Sequence, residues 1–414
     1  MRNPSATRPQ HALMTQFPVL DHCLQIGGIS LLRLAERVGR TPFYAYDRQL
    51  ITERISLLRR ALPEEICIHY AMKANPMPAV VQHLAHLVDG IDVASAGELK
   101  VALDTAMPPE KISFAGPGKT EPELSCAVAA GIVINVESEK ELDRIAALAK
   151  QMDICPKVAV RVNPDFELKS SGMKMGGGAK QFGVDVERVP AMLARIEKLG
   201  LKFEGLHIFS GSQNLKVDAI QDAHEKTLQL GLRLAQNLDH PIPVLNIGGG
   251  FGVPYFPGET PLDVAAVGGN LQRLISDFKH KLPNTRFVIE LGRFIVAEAG
   301  VYVCRVLDKK LSRGQIFLVT DGGLHHHLAA SGNFGQVIRK NYPVTIGNKV
   351  GISATETVSV VGPLCTPLDL LADQMELPKA EIGDLVVIFQ SGAYGLTASP
   401  TAFLSHPAPT EVLV

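Results

Sequence analysis

Eight short apolar runs separated by segments of helical periodicity dominate residues 67 to 291 and leave few folds open to the chain. The runs are Cys67 to Ala74, Gly90 to Ala94, Ile112 to Ala115, Ile132 to Val136, Lys157 to Val162, Phe203 to Phe209, Val244 to Ile247 and Arg286 to Leu291. Between them, segments such as Pro78 to Val88, Glu139 to Met152, Val186 to Leu199 and Val217 to Leu238 repeat apolar residues at helical spacing. Near-continuous apolar runs are what parallel strands show when both faces are covered. Eight strands alternating with helices over about 230 residues predict an α/β fold, a closed (β/α)8 barrel of the TIM type. The competing arrangement is an open doubly wound sheet. Past Arg293 the rhythm changes, with strand-like pieces at Val301 to Leu307, Gln315 to Thr320, Val344 to Ile346, Thr357 to Val361 and Asp384 to Phe389. No long helix separates them, which predicts a mainly antiparallel β domain, completed by a strand near Pro42 to Tyr46. The expected domains are a barrel over 47–292 and a discontinuous β domain from 1–46 and 293–414.

A chain of 414 residues exceeds what one core serves, so two domains also agree with length. The net charge of -1 gives no global field for nucleic acid or anionic membrane, and an anion site has to be local. The N-terminal residues lack an apolar targeting core and no run approaches the ~20 apolar residues of a span, so a cytoplasmic protein is expected. Cys23, Cys67, Cys126, Cys155, Cys304 and Cys365 show no C-x-x-C spacing, which argues for neither a disulfide framework nor a zinc site. His325-His-His327 is expected to be a loop rather than a metal site, because three consecutive residues share no helix or strand face.

In a barrel, function collects where strands exit. The exits here carry Lys73, Asp92 with Ser95, Lys119, Glu137, Arg161 with Asn163, His207 with Ser210, Gly248-Gly-Gly250, and Glu290 with Arg293. A lysine ending an apolar run reads as a Schiff-base lysine or as an ordinary snorkelling one. Three glycines at the seventh exit suit close backbone approach to a phosphate; a plain tight turn is the alternative. His207 has a flat ring able to cover an aromatic cofactor, or is a satisfied core histidine. Glu290 is suited to a protonated ring nitrogen and Arg293 to a phosphate, or the two form a structural ion pair. Gly118-Lys119-Thr120 resembles a P-loop, but Ser113 stands where its first glycine belongs, which excludes that nucleotide site.

Together, Tyr70-Ala-Met-Lys73-Ala-Asn, His207 with Ser210-Gly-Ser, Gly248-Gly-Gly-Phe251, Glu290-x-Gly-Arg293, Gly362-Pro-Leu-Cys365 and Ser391-Gly-Ala-Tyr394 resemble the pyridoxal-phosphate decarboxylases of the diaminopimelate and ornithine type. These enzymes, of fold type III, share an alanine-racemase-like barrel plus a β domain. The resemblance implies pyridoxal 5'-phosphate held covalently by Lys73, His207 stacked on its ring and Glu290 at its ring nitrogen. It further implies phosphate contacts from Ser210, Gly248, Gly249, Gly250, Arg293 and Tyr394, with Asp92 and Arg161 also cofactor-binding. It implies a homodimer with shared sites, Cys365 entering from the other chain to help return a proton after carbon dioxide leaves.

The sequence departs from the family where substrate is chosen. Ornithine-type enzymes carry an aspartate after the cysteine and diaminopimelate enzymes a glutamate, whereas Thr366 stands here, with Asp369 nearby. Leu291 replaces the usual proline, the loop after His207 is longer, and Asp321-Gly-Gly-Leu-His-His-His327 looks like branches serving secondary metabolism or polysaccharide synthesis. Thr366, Asp369 and Asp321 are the candidate substrate contacts. The expected substrate is a free amino acid or an aminoacyl group tethered to a carrier protein. An amino-acid racemase on the same fold is disfavoured by Ala74-Asn-Pro-Met-Pro78 after Lys73; a silent regulatory homologue is disfavoured because lysine and phosphate ligands are kept.

Overall fold

The structure is a computed structural model that describes residues 9–167, 173–236 and 238–414. It contains two compact units, one of residues 52–252 with 262–295, the other of residues 1–51, 253–261 and 296–414.

The first unit is a closed parallel barrel. Its strands are β1 (Ile66–Ala71), β2 (Gly90–Val93), β3 (Ile112–Phe114), β4 (Val133–Val136), β5 (Lys157–Asn163), β6 (Lys202–Ile208), β7 (Val244–Gly249) and β8 (Arg286–Leu291). They pair in chain order, and Phe287 of β8 beside Ile66 of β1 closes the ring. A short extra strand, Val184–Asp185, adds to β5 in parallel. In β1 the residues Ile66, Ile68 and Tyr70 are buried, while Cys67 and His69 are only half-buried. Successive strand residues face opposite ways, so Ile66, Ile68 and Tyr70 pack outward under the helices and Cys67 and His69 point into the barrel.

Helix starts are set locally, which fixes where each strand exit points. Ser95 Oγ accepts from the Glu98 amide (3.1 Å) and Ser138 Oγ from the Glu141 amide (3.2 Å), starting helices Ala96–Leu103 and Glu139–Met152 just past β2 and β4. A capping box of Thr120 and Glu123 begins helix Glu121–Ala130 in the same way.

The second unit is a mixed sheet built on the long strand Gly300–Ser312. Its first half pairs antiparallel with Phe43–Tyr46 and Leu385–Ile388, its second half with Gln315–Thr320. Most pairings are antiparallel; Gln315–Thr320 with Thr355–Val361 and Thr410–Leu413 with Phe43–Tyr46 are parallel. Every residue of Phe43–Tyr46 is buried, as befits a strand paired on both edges. Its core gathers Phe17, Leu24, Leu31, Leu34, Phe43, Val301, Val303 and Val387. The strand Leu370–Pro378, paired with Thr355–Val361, was not expected from sequence. The histidine tract lies in a loop, and the loop is buried, His325, His326 and His327 alike. His326 Nε2 lies 3.0 Å from the Pro407 carbonyl and His327 Nε2 2.9 Å from Ser391 Oγ. Among the described residues no group of three or more acidic, His or Cys side chains is arranged to hold a metal.

Candidate active site

One buried carboxylate organises the carboxyl ends of β1, β6 and β8. A single 3-10 turn, Met72–Ala74, follows β1 and sets Lys73 just beyond the barrel wall. Lys73 Nζ lies 3.5 Å from Glu290 Oε1, on the adjacent strand β8. His207 Nε2, from β6, lies 3.1 Å from the other oxygen, Glu290 Oε2. Burial by itself would raise the Glu290 carboxyl, but Lys73, the His207 hydrogen bond and Arg161 outweigh it and hold the group well below the usual carboxylate range. An ionised Glu290 requires His207 Nε2 to carry the proton and donate it.

The loops after β6 and β7 interlock beside this group. The Asn214 amide donates to the Gly250 carbonyl and the Gly252 amide to the Asn214 carbonyl, each at 2.9 Å. The Gly248 amide donates to Asn246 Oδ1 (2.9 Å), pinning the start of the turn. Gly250 has φ +77, and a Cβ there would stand 2.3 Å from the Gly211 carbonyl oxygen, so only glycine lets the two backbones come this close. Ser210 is buried on the facing loop, its carbonyl accepting from the Met175 and Gly176 amides. Phe209 of that loop has its ring centre 5.5 Å from Lys73 Nζ. Arg293 opens the turn of helix Arg293–Val296, three residues past Glu290.

Other sequence-selected residues go to separate partners. Arg161 Nη1 pairs with Glu137 Oε1 at 2.9 Å. Burial opposes ionisation of Glu137, yet Arg161 and the Gly183 amide prevail and lower its pKa. Lys119 donates to the Gly116 and Asn135 carbonyls and to Glu141 Oε1, all within 2.9 Å, which makes it a structural strut of the β3 and β4 loops. Asp92 turns into the barrel, where Oδ1 lies 3.1 Å from His69 Nδ1 and accepts from Ser113 Oγ at 2.6 Å.

In the sheet unit, Cys365 is exposed and Tyr394 is half-buried with φ +52. Asp369 and Asp321, the expected substrate contacts, hold their own loops. Asp369 is buried, Oδ1 accepting from the Leu324 amide (2.6 Å) and Oδ2 from the Leu364 amide (2.9 Å). Asp321 Oδ1 accepts from the Arg305 amide (2.8 Å) and Oδ2 from the Thr41 hydroxyl. Burial pushes both carboxyls up. Thr366 sits at the turn between them in sequence, its carbonyl accepting from the Asp369 amide (3.2 Å).

An amine, an ionised carboxylate, an imidazole and a glycine turn built for close backbone approach form a donor set that fits a phosphorylated pyridine aldehyde. The family described as "Pyridoxal-dependent decarboxylase, pyridoxal binding domain" matches residues 48–297. The chain belongs to the pyridoxal-dependent decarboxylases. Among these decarboxylases, it is 40% identical to the L-glutamyl-[BtrI acyl-carrier protein] decarboxylase of Niallia circulans, over 90% of this chain and 88% of that protein. It is 34% identical to the diaminopimelate decarboxylase of Aquifex aeolicus, over 95% and 91%. The crystal structure of M. jannaschii diaminopimelate decarboxylase in complex with L-lysine superposes with a TM-score of 0.87, at 28% identity, covering 97% of this chain and 94% of that one. The cofactor of this decarboxylase is pyridoxal 5'-phosphate, and its reaction is amino-acid decarboxylation. Among the described residues no helix is long and apolar enough to cross a membrane.

Sequence reasoning missed the polar residues inside this barrel, His69, Ser113, Asn135 and Asn246. Their signal is parity: each stands at an inward position of its strand, where barrels place branched apolar side chains.

Proposed function

We propose that this decarboxylase acts on an aminoacyl group tethered to a carrier protein, whose far end carries no free ammonium. The observation that carries this reading is the pair Thr366 and Asp369. Thr366 stands where diamino-acid enzymes place an acid, and Asp369, the nearest carboxylate in sequence, spends both oxygens on backbone amides. Asp321 is likewise engaged. A distal ammonium would therefore have to compete with backbone amides for both carboxylates. The similarity to a carrier-protein decarboxylase supports the same direction.

Pyridoxal phosphate, when bound, supplies the electron sink for the pair left by departing carbon dioxide. Lys73, whose amine lies 3.5 Å from Glu290 at the exit of β1, is the residue that would hold the cofactor through its aldehyde. Glu290, kept ionised, would meet the ring nitrogen and His207 would lie against the ring. Ser210, Gly248 to Gly250 and Arg293 would hold the phosphate, the resemblance giving Tyr394 the same task, with Asp92 and Arg161 steadying the surrounding strand ends. The working form is a cytoplasmic homodimer, Cys365 of one copy delivering a proton to the open face of the site in the other.

The test is carbon dioxide release from an aminoacyl thioester on a carrier protein, from the same amino acid free, and from diaminopimelate and ornithine. Turnover of the thioester at least a hundredfold above the free diamino acids is expected. Preference for a free diamino acid would overturn the assignment, and Thr366→Glu is expected to shift selectivity toward it.

A further inference from the structure

The barrel is hollow, and its lumen reaches the far side of the Glu290 pair. Eight-stranded barrels are normally filled by layers of branched apolar side chains. Here the inward positions carry His69, Asp92, Ser113, Asn135 and Asn246, with Ala159 and Gly205 adding little volume, and a cavity of about 170 Å³ remains. At 10–15 Å³ per water, that is room for on the order of ten waters. Its outer end lies among Asp89, Glu204, Glu110, Lys111 and Arg286 at the amino-terminal mouth, the last three exposed, so it opens to solvent on the side opposite the candidate active site.

Two buried atoms of its lining residues have no partner among the described residues, Asp92 Oδ2 and His207 Nδ1. Each would cost about 1–3 kcal/mol if left dry, which is the reason to expect ordered water at these two atoms. His207 lines the lumen and is tied to Glu290 through Nε2, which leaves Nδ1 as the ring atom still without a partner. Below it, Asn135 Nδ2 donates to Ser113 Oγ (3.1 Å), Ser113 Oγ donates to Asp92 Oδ1 (2.6 Å), and His69 Nδ1 stands 3.1 Å from the same oxygen. Gly90 makes room for this ring, since a Cβ there would sit 2.5 Å from His69 Nε2.

We propose that the lumen is a water-filled proton path by which the His207–Glu290 pair exchanges protons with solvent through the amino-terminal mouth, with the His69–Asp92 pair as its relay. A hydronium ion in the lumen delivers a proton to His207 Nδ1 and becomes water, while Nε2 keeps its own proton on the ionised Glu290, so the pair takes up charge without the imidazole moving. The reverse sequence returns it, with no net change in the protein. The path lets the buried pair keep its protonation state while substrate covers the opposite face. His69 is fit for the relay: burial opposes its charge, but Asp92 on β2, Glu290 on β8 and Asp89 before β2 together raise its pKa. Lys111 and Glu110 before β3, Arg286 on β8 and Glu204 on β6 are the remaining charged groups lining the cavity.

The inference is independent of which substrate is used. Its first test is a crystal structure at high resolution: ordered waters bridging Asp92 Oδ2 and His207 Nδ1 are expected, and a dry lumen would overturn the path. The second is a pH jump on the holoenzyme, followed by cofactor absorbance, and on the cofactor-free full chain, followed by histidine nitrogen resonances. Ala159→Leu and, separately, Cys67→Leu at the mouth are expected to slow the response at least tenfold while leaving the equilibrium spectrum unchanged. His69→Phe is expected to slow it and His69→Gln to slow it less. Wild-type response rates in folded variants of both plugging positions would sink the proposal.

Discussion

Gly250→Ala isolates what the glycine turn contributes. A residue with a Cβ at φ +77 costs roughly 1 kcal/mol in backbone strain. Its Cβ would also lie 2.3 Å from the Gly211 carbonyl oxygen, against 3.4 Å for an ordinary contact, so one loop has to retreat by about 1 Å. The obstacle is backbone and cannot swing aside. Such a shift strains the Asn214 amide bond to Gly250, worth about 1 kcal/mol. The total of about 2 kcal/mol falls on the loop pair proposed to hold the phosphate, and corresponds to roughly 30-fold weaker binding of pyridoxal phosphate. Equilibrium dialysis of the cofactor-free chain against pyridoxal phosphate measures it, with a thermal melt as companion. Gly269→Ala, in helix Val264–Lys279 with nothing near its added Cβ, is the control and is expected to stabilise by about 0.5–1 kcal/mol. Cofactor affinity and stability both within twofold of the parent in Gly250→Ala would refute the reasoning.

Three further outcomes are expected. Lys73→Ala abolishes carbon dioxide release with an unchanged far-ultraviolet spectrum; residual turnover above a hundredth of the parent rate would remove Lys73 from the chemistry. Lys119→Met, which strands the buried Glu141 carboxylate, lowers stability in urea by about 3–5 kcal/mol, and a loss below 1 kcal/mol would contradict its role as a strut. The folded Glu290 pKa lies below its ordinary value of 4.5, so its contribution to stability is complete above that pH and is lost as pH falls further. Acid titration of the cofactor-free chain should therefore give a shallower stability loss below pH 4.5 in Glu290→Gln, and parallel curves would contradict the coupling to Lys73 and His207.

The barrel was legible because its strands are buried on both faces and its helices announce their starts: Ser95, Thr120 and Ser138 each cap a helix just past a strand. Lys73, His207 and Glu290 were legible as a group because the eight-run register puts three strand ends on one rim. The strand Leu370–Pro378 was hidden because Gln374 at φ +49 breaks its alternation with a bulge. The tasks of Asp369 and Asp321 were hidden for another reason. A carboxylate in a loop reads identically whether it faces ligand or its own chain's amides, and only the fold reveals the Leu324 and Leu364 amides that claim Asp369. The hollow interior escaped because single polar residues in short runs look like noise until the strands are laid side by side.

The strand Phe43–Tyr46 has its antiparallel neighbour at residues 300–303 and its parallel neighbour at residues 410–413. During synthesis from the amino end, those four residues emerge early and have no edge to join until most of the polypeptide has followed. The barrel segment is complete well before that, so it can condense first while the Phe-Tyr-Ala-Tyr stretch remains uncovered. Long-separated pairing of this kind is slow to form and leaves an aromatic edge open to other nascent chains. Poor yield on rapid expression, relieved by slower translation or by holding chaperones, is thus written into the order in which this sheet finds its middle.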